Sequence, residues 1–337
     1  MRIKIAVVLV VTIAFLVGVL WGIDVEHALE ALSQVSWWRL LPMCALYMTA
    51  HMLRTWRLRL LLNQPIRYWR LFSINSVGFL AINVIPLRLG EMVRPYLLTE
   101  REGIPFGRGM AAIVLERLLD MLMLLGMLMG LTLLVELPPG GLVIDTEGGG
   151  VDVIAAGQQF AGGIVVLGVL VGTALVAIGE PATQLIEKLP MGTLIAGFVR
   201  KFRDGFGELI KAPARLALLL AISASIWGVT IGAVAVVMSA FPGIPVSLSA
   251  AWSTWSITLS GMVALPTPGF FGAYELFCST ALRLWGVHED IARTFAVVLH
   301  LGMFSFTVSI GGLCLLIEGL SLRDLVRTVP QVKAQDG

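Results

Sequence analysis

Residues 83–95 read Asn83-Val84-Ile85-Pro86-Leu87-Arg88-Leu89-Gly90-Glu91-Met92-Val93-Arg94-Pro95, a helix-breaking, triply charged stretch inside an otherwise apolar region from 71 to 104. A helix needs about 20 apolar residues to cross the hydrocarbon core, and the break leaves neither half that long. Proline removes a backbone donor and clashes with the preceding turn. At membrane depth, such non-helical backbone survives only where protein or a wet cavity satisfies it. A second break, Leu265-Pro266-Thr267-Pro268-Gly269, divides the apolar region 249–286 in the same way. Both regions are therefore expected to be re-entrant helical hairpins.

The chain around them is apolar almost throughout. Of 337 residues, 57% are hydrophobic and 14% charged, and the mean hydropathy is +0.89. One soluble core could not hide that much apolar surface, so the bilayer must be the solvent. Long apolar runs at 5–21, 38–62, 109–135, 160–179, 214–240 and 291–318 predict six full spans. The first is read as an uncleaved span, because no A-x-A site precedes the acidic stretch from Asp24 to Glu30. The expected fold is an all-α polytopic membrane protein of about six transmembrane helices plus two re-entrant hairpins.

Loop charge sets the orientation, since short cytoplasmic loops collect Lys and Arg. The segment with Arg54, Arg57, Arg59, Arg67 and Arg70, the loop with Lys188, Arg200, Lys201, Arg203, Lys211 and Arg215, and the tail with Arg323, Arg327 and Lys333 are expected inside. Glu136, Asp145, Glu147 and Asp152 mark an outside loop. Both termini are then cytoplasmic, and the hairpins open to opposite faces. A sequence echo agrees: Ser73, Ser76 and Pro86 match Ser253, Ser256 and Pro266 at an offset of 180. Ala112-Ile113-Val114-Leu115 matches Ala296-Val297-Val298-Leu299 at an offset of 184. Paired breaks of opposite orientation fit an inverted repeat, in which discontinuous helices build a site near the midplane. The expected organisation is a single membrane domain, 1–337. The first repeat is 37–135 with hairpin 71–104, the connecting region is 136–212, and the second repeat is 213–320 with hairpin 249–286. Within the connecting region lie one span and an amphipathic helix carrying Ile195, Phe198, Val199, Phe202, Phe206 and Leu209 on one face. That helix suits the cytoplasmic interface or an ordinary packed connector.

Three charges in an apolar hairpin each cost at least a few kcal/mol unless paired. If helical, Arg88, Glu91 and Arg94 share one arc. Glu91 can pair with either arginine and leave the other guanidinium to grip a phosphate with both arms of its fork. Interfacial charges that merely steady the hairpin are the alternative. Glu116-Arg117-Leu118-Leu119-Asp120 places Glu116 and Asp120 on one face, with Arg117 able to reach a carboxylate; a structural ion-pair network is equally compatible. In the second half, Glu275 follows Pro268-Gly269-Phe270-Phe271-Gly272-Ala273-Tyr274, and Ser253, Ser256 and Ser260 form a strip that could equally serve helix packing. His300, mid-span, suits either a proton relay or hydrogen-bonded packing. The candidate substrate-binding residues are Arg88, Glu91, Arg94, Arg117 and Glu275, supported by Asn83, Glu116, Asp120, Ser256 and His300.

Other chemistry finds no motif. No Gly-Lys pair exists for a phosphate-cradling loop, so ATP use is not expected. Net charge is +2, which does not suggest nucleic acid. Cys44, Cys278 and Cys314 share no ligand spacing, so neither a disulfide, a metal nor a cofactor is expected.

The 83–95 run, with its N-x-x-P-x-R-x-G-E-x-x-R pattern, the Ala112 to Asp120 block and Pro268 to Glu275 resemble the membrane domain of lysylphosphatidylglycerol synthases, over nearly the whole chain. Phe270 and Phe271 stand where a further glycine near Gly269 would be expected. In the full synthases a cytoplasmic aminoacyltransferase domain makes the lipid, and the membrane part moves it. The sequence reaches Gly337 without such a domain, so the resemblance implies the stand-alone, flippase-like form. The expectation is a non-enzymatic translocase of the cytoplasmic membrane that moves an anionic phospholipid or polyprenyl-phosphate lipid. The rival is an intramembrane lipid-modifying enzyme or a subunit of an envelope-lipid synthesis complex. The expected partner is the lipid itself, with homo-oligomerisation left open.

Overall fold

In the computed structural model, residues 25–85, 90–134, 143–146, 149–179, 184, 192–265 and 267–320 are described. The fold is helical. In chain order the α-helices are α1 (Val25–Ser33), α2 (Leu40–Leu62), α3 (Tyr68–Val84), α4 (Val93–Glu102), α5 (Phe106–Leu134) and α6 (Val153–Ile178). They continue with α7 (Gly192–Lys211), α8 (Pro213–Met238), α9 (Leu248–Ala264), α10 (Ala273–Arg283) and α11 (Glu289–Ile317). Among the described residues, three segments are long and apolar enough to cross a membrane: Ala155–Ala177, Pro213–Met238 and Glu289–Ile317. Helices α2 and α5 have the length but carry charge, Arg54, Arg57 and Arg59 in one and Glu116, Arg117 and Asp120 in the other. The expected first span, 5–21, lies outside the described residues.

One succession of lengths occurs twice. Helices of 23, 17, 10 and 29 residues (α2 to α5) are followed later by helices of 26, 17, 11 and 29 (α8 to α11). The breaks fall where sequence chemistry put them. Ile85 ends α3 in an extended conformation (φ −88°, ψ 120°), as a residue before proline must. Ser247 starts α9 by accepting a hydrogen bond from the Ala250 amide at 3.0 Å, a side-chain N-cap.

The chain forms two compact units. One comprises His51–Leu122, Gly163–Ser225 and Thr307–Gly337, and contains α3 and α4; the other comprises Met1–Ala50, Met123–Gly162 and Ile226–Phe306, and contains α9 and α10. Helices α2, α5, α6, α8 and α11 each contribute one end to each unit. Both hairpins close on a glycine. A Cβ at Gly78 of α3 would fall 1.9 Å from Cγ of Arg94, and one at Gly261 of α9 would fall 2.1 Å from the Phe277 ring. Only glycine lets the second arm cross so near the first.

The helical fold carries one small addition, a two-stranded antiparallel ribbon in which Val143–Thr146 pairs with Gly149–Asp152. The amphipathic segment forms α7, and its apolar face packs on helices: Phe206 lies against Gly172 of α6 and Gly205 against Leu115 of α5. Phe202 is buried and stacked on Phe206. On this face the helix is packed against the bundle.

Candidate functional site

The first-hairpin unit has an ionic core. Arg94, in the first turn of α4, is fully buried. Its Nη1 donates to Asn75 Oδ1 at 3.0 Å and to Glu116 Oε2 at 2.7 Å, and its guanidinium lies 5.0 Å from the Phe79 ring centroid. Asn75 on α3 donates from Nδ2 to Thr55 Oγ1 at 3.2 Å. One turn before Thr55 on α2, His51 Nε2 sits 2.7 Å from Ser76 Oγ. The Ser76 hydroxyl donates to the Phe72 carbonyl, so His51 Nε2 carries the proton between them.

A second guanidinium completes the cluster. Arg57 of α2, also buried, donates from Nη1 to Asp120 Oδ1 at 2.8 Å and to Ser223 Oγ of α8 at 3.1 Å. Its Nε is 3.8 Å from Glu116 Oε1. Arg117, with a side chain 40% exposed, reaches Asp120 Oδ2 of its own helix at 3.6 Å. Arg54 lies 5.8 Å from the Phe79 ring centroid on α3. Four guanidiniums thus face two carboxylates, with Glu91 near enough to act on Arg94 electrostatically. Yet Arg94 Nε and Nη2 and Arg57 Nε are buried without a hydrogen-bond acceptor. Buried donors seldom go unsatisfied, because each costs about 1–3 kcal/mol. The cluster is a cationic centre with donors to spare.

The second-hairpin unit holds a different group. Glu275, in the first turn of α10, accepts from the Gly272 amide at Oε2 (2.6 Å) and contacts His300 Nδ1 of α11 at Oε1 (2.6 Å). His300 Nε2 meets the Gly269 carbonyl at 2.9 Å. Tyr274 stacks on the imidazole at 4.3 Å, and Phe271 lies 4.7 Å away. Ser256 and Ser260 return their hydroxyls to carbonyls one turn back, and Ser260 lies 3.2 Å from where a Gly157 Cβ would be. The serine strip therefore serves packing. Ser253 alone reaches further, accepting from Trp285 Nε1 at 2.8 Å.

The residues expected from sequence thus fall into separate units: Glu91, Arg94, Glu116, Arg117 and Asp120 in one, Glu275, Ser256 and His300 in the other. Arg88 lies outside the described residues. Asn83 donates to the Phe79 carbonyl at 2.8 Å near the end of α3. The expected partner of Arg94 changes: it pairs with Glu116 of α5, which the hairpin brings across, and not within its own arc. Arg57, counted from sequence only for its contribution to orientation, is a buried member of the core. Arg57, Asn75, Thr55, His51 and Ser223 were missed. Only the position of Arg57, inside the apolar run 38–62, hinted at a partner. Among the described residues, no group of three His, Cys, Asp or Glu could hold a metal.

Comparison with known proteins follows the same lines. The lysylphosphatidylglycerol synthase TM region matches residues 3–311. A glycosyltransferase of Haloferax volcanii, AglD, is 27% identical over 278 residues, which is 75% of this chain and 44% of that protein. The chain thus spans less than half the length of this curated relative. No solved structure matches the chain.

Proposed function

The chain belongs to the lysylphosphatidylglycerol synthase TM region family, and from that premise we propose that it is a lipid translocase, moving an anionic phospholipid or polyprenyl-phosphate-type lipid across the cytoplasmic membrane. The observation that carries this reading is Arg94. A guanidinium fixed beside a hairpin break, one nitrogen spent on Glu116 and Asn75 and two others without acceptors, suits a headgroup phosphate. Arg117, with Arg88 from the break, would extend the positive charge around it, with the buried Arg57 behind, while the acyl or prenyl chains stay in lipid.

The doubled helix succession supports an inverted repeat. The second-hairpin unit holds the N-terminal end of α2 together with the C-terminal end of α8, its counterpart in the later set. Two copies running in opposite directions would bring such ends together. On this reading the halves rock about the site in alternating access, and both termini are cytoplasmic. The rival reading, a lipid-modifying enzyme or a subunit of a lipid-synthesis complex, is favoured by the relative's glycosyltransferase name.

One experiment separates them. Liposomes holding this protein alone, loaded in turn with headgroup-labelled phosphatidylglycerol and with a labelled polyprenyl phosphate, should show movement of one label between leaflets with the lipid mass unchanged. A changed mass would make the protein an enzyme. Neither movement nor change would overturn the translocase.

A further inference from the structure

We propose that Glu275 and His300 form a proton-binding site whose occupancy holds the break of the second hairpin closed. The argument is one of counting protons. The Gly269 carbonyl can only accept, so His300 Nε2 carries a hydrogen. The Gly272 amide can only donate, so Glu275 Oε2 is an acceptor. The 2.6 Å contact between Nδ1 and Oε1 then requires one proton between them. With it, the pair is neutral overall and all three contacts are satisfied.

Its surroundings favour the arrangement imidazolium plus carboxylate. Tyr274 is stacked on the ring within 12° of parallel, and Phe271 lies against it, an aromatic setting that stabilises a cation. The titratable groups around the pair are Tyr274, stacked on His300, and Cys278, near Glu275, both on α10, with Tyr47 of α2 beside Tyr274. From α9 come Trp255, against Tyr274, and Thr258, neither of which titrates. On α11 the neighbours are Phe304 and Met303. Tyr and Cys are ordinarily neutral near pH 7.

What the pair holds is strained. Gly269, Phe270 and Gly272 have φ of 59°, 62° and 85°, and for Phe270 the left-handed region costs about 1–2 kcal/mol. Both ends of this turn are tied by the pair, Gly269 through its carbonyl and Gly272 through its amide. If the shared proton leaves for water, Nε2 keeps its own, and the pair goes from neutral to one negative charge. Two lone pairs then face each other at hydrogen-bond distance in a buried site. That repulsion breaks the contact, the imidazole turns away, and the Gly269 tie is lost with it. Loss of the proton therefore opens the break, whatever cargo the protein moves.

Hydrogen-exchange mass spectrometry on the full chain in lipid nanodiscs tests this without any transport assay. Corrected for intrinsic exchange, protection of amides 269–272 should fall with rising pH by up to about tenfold per unit over the range in which opening releases the proton, as linkage to one proton requires. Glu275→Gln can donate to Nδ1 and accept from Gly272 without a titrating proton, so its protection should be high and flat with pH. His300→Phe, the second variant, should give low protection at every pH while α2 stays protected. A flat wild-type profile, or a wild-type pH dependence in either variant, overturns the proposal. Absence of lipid movement would sink the translocase reading and leave this one standing.

Discussion

Arg94 and Glu116 are both buried, so the pair is worth most when it is half removed. Glu116→Gln leaves a guanidinium desolvated without its counter-charge, a loss of about 3–5 kcal/mol. The contrasting pair is Arg70–Glu102, 2.8 Å apart with the arginine 49% exposed. Glu102→Gln should cost less than about 1 kcal/mol. Thermal unfolding of the two variants in one detergent should rank them in that order. Equal stability would mean that solvent reaches Glu116. Asn75→Ala should be intermediate, because Arg94 keeps its carboxylate and loses one neutral acceptor, a change of about 1–3 kcal/mol.

At the scale of elements, each hairpin depends on how closely its arms approach. Gly78→Ala drives a methyl into the Arg94 side chain, and should cost about 1–3 kcal/mol by overpacking and dislodge the guanidinium from Glu116. Gly126 of α5 has nothing within 4 Å of its missing Cβ. Gly126→Ala should therefore raise stability, by up to about 1 kcal/mol from helix propensity. Unfolding midpoints of the two variants check this directly. The inverted-repeat reading makes a separate prediction: single cysteines at 103 and 287, at the ends of the hairpins, should react with an impermeant maleimide from opposite faces of the membrane. Labelling from the same face would remove that topology.

These elements also show what a sequence can disclose. The hairpins were legible because proline and glycine act locally, through the backbone of their own turn. The ionic core was legible only in part. Arg94, Glu116 and Asp120 stood out by their cost in an apolar run, but their partners are set by the crossing of α3 and α4 against α2 and α5. No spacing along the chain encodes that crossing. Arg57 entered only as a basic residue that sets orientation, because a count of charges along the chain does not show which of them the fold will bury. Asn75, Thr55 and Ser223 are single polar residues whose role appears only when a charge is placed beside them. His300 was ambiguous for the same reason: its partners Glu275 and Gly269 come from the other side of a turn whose strained backbone no residue type announces.

For the whole molecule, the membrane setting follows from family and surface together. Val166, Leu167, Val169 and Leu170 of α6 are all exposed, at 47–63% of their surface, an apolar stripe suited to hydrocarbon. The same solvent explains why the ionic core is so closely paired and why its unpaired donors matter. The central claim is that Arg94 offers those donors to a lipid phosphate, and reconstituted transport by wild type and Arg94→Lys tests it most directly. Lysine keeps the charge beside Glu116 but lacks the planar fork. The account predicts lipid movement by the wild type, and at least about a tenfold loss in Arg94→Lys, with the unfolding midpoint little changed. Transport at the wild-type rate by both Arg94→Lys and Arg94→Ala would contradict it and reduce the arginine to a structural ion pair.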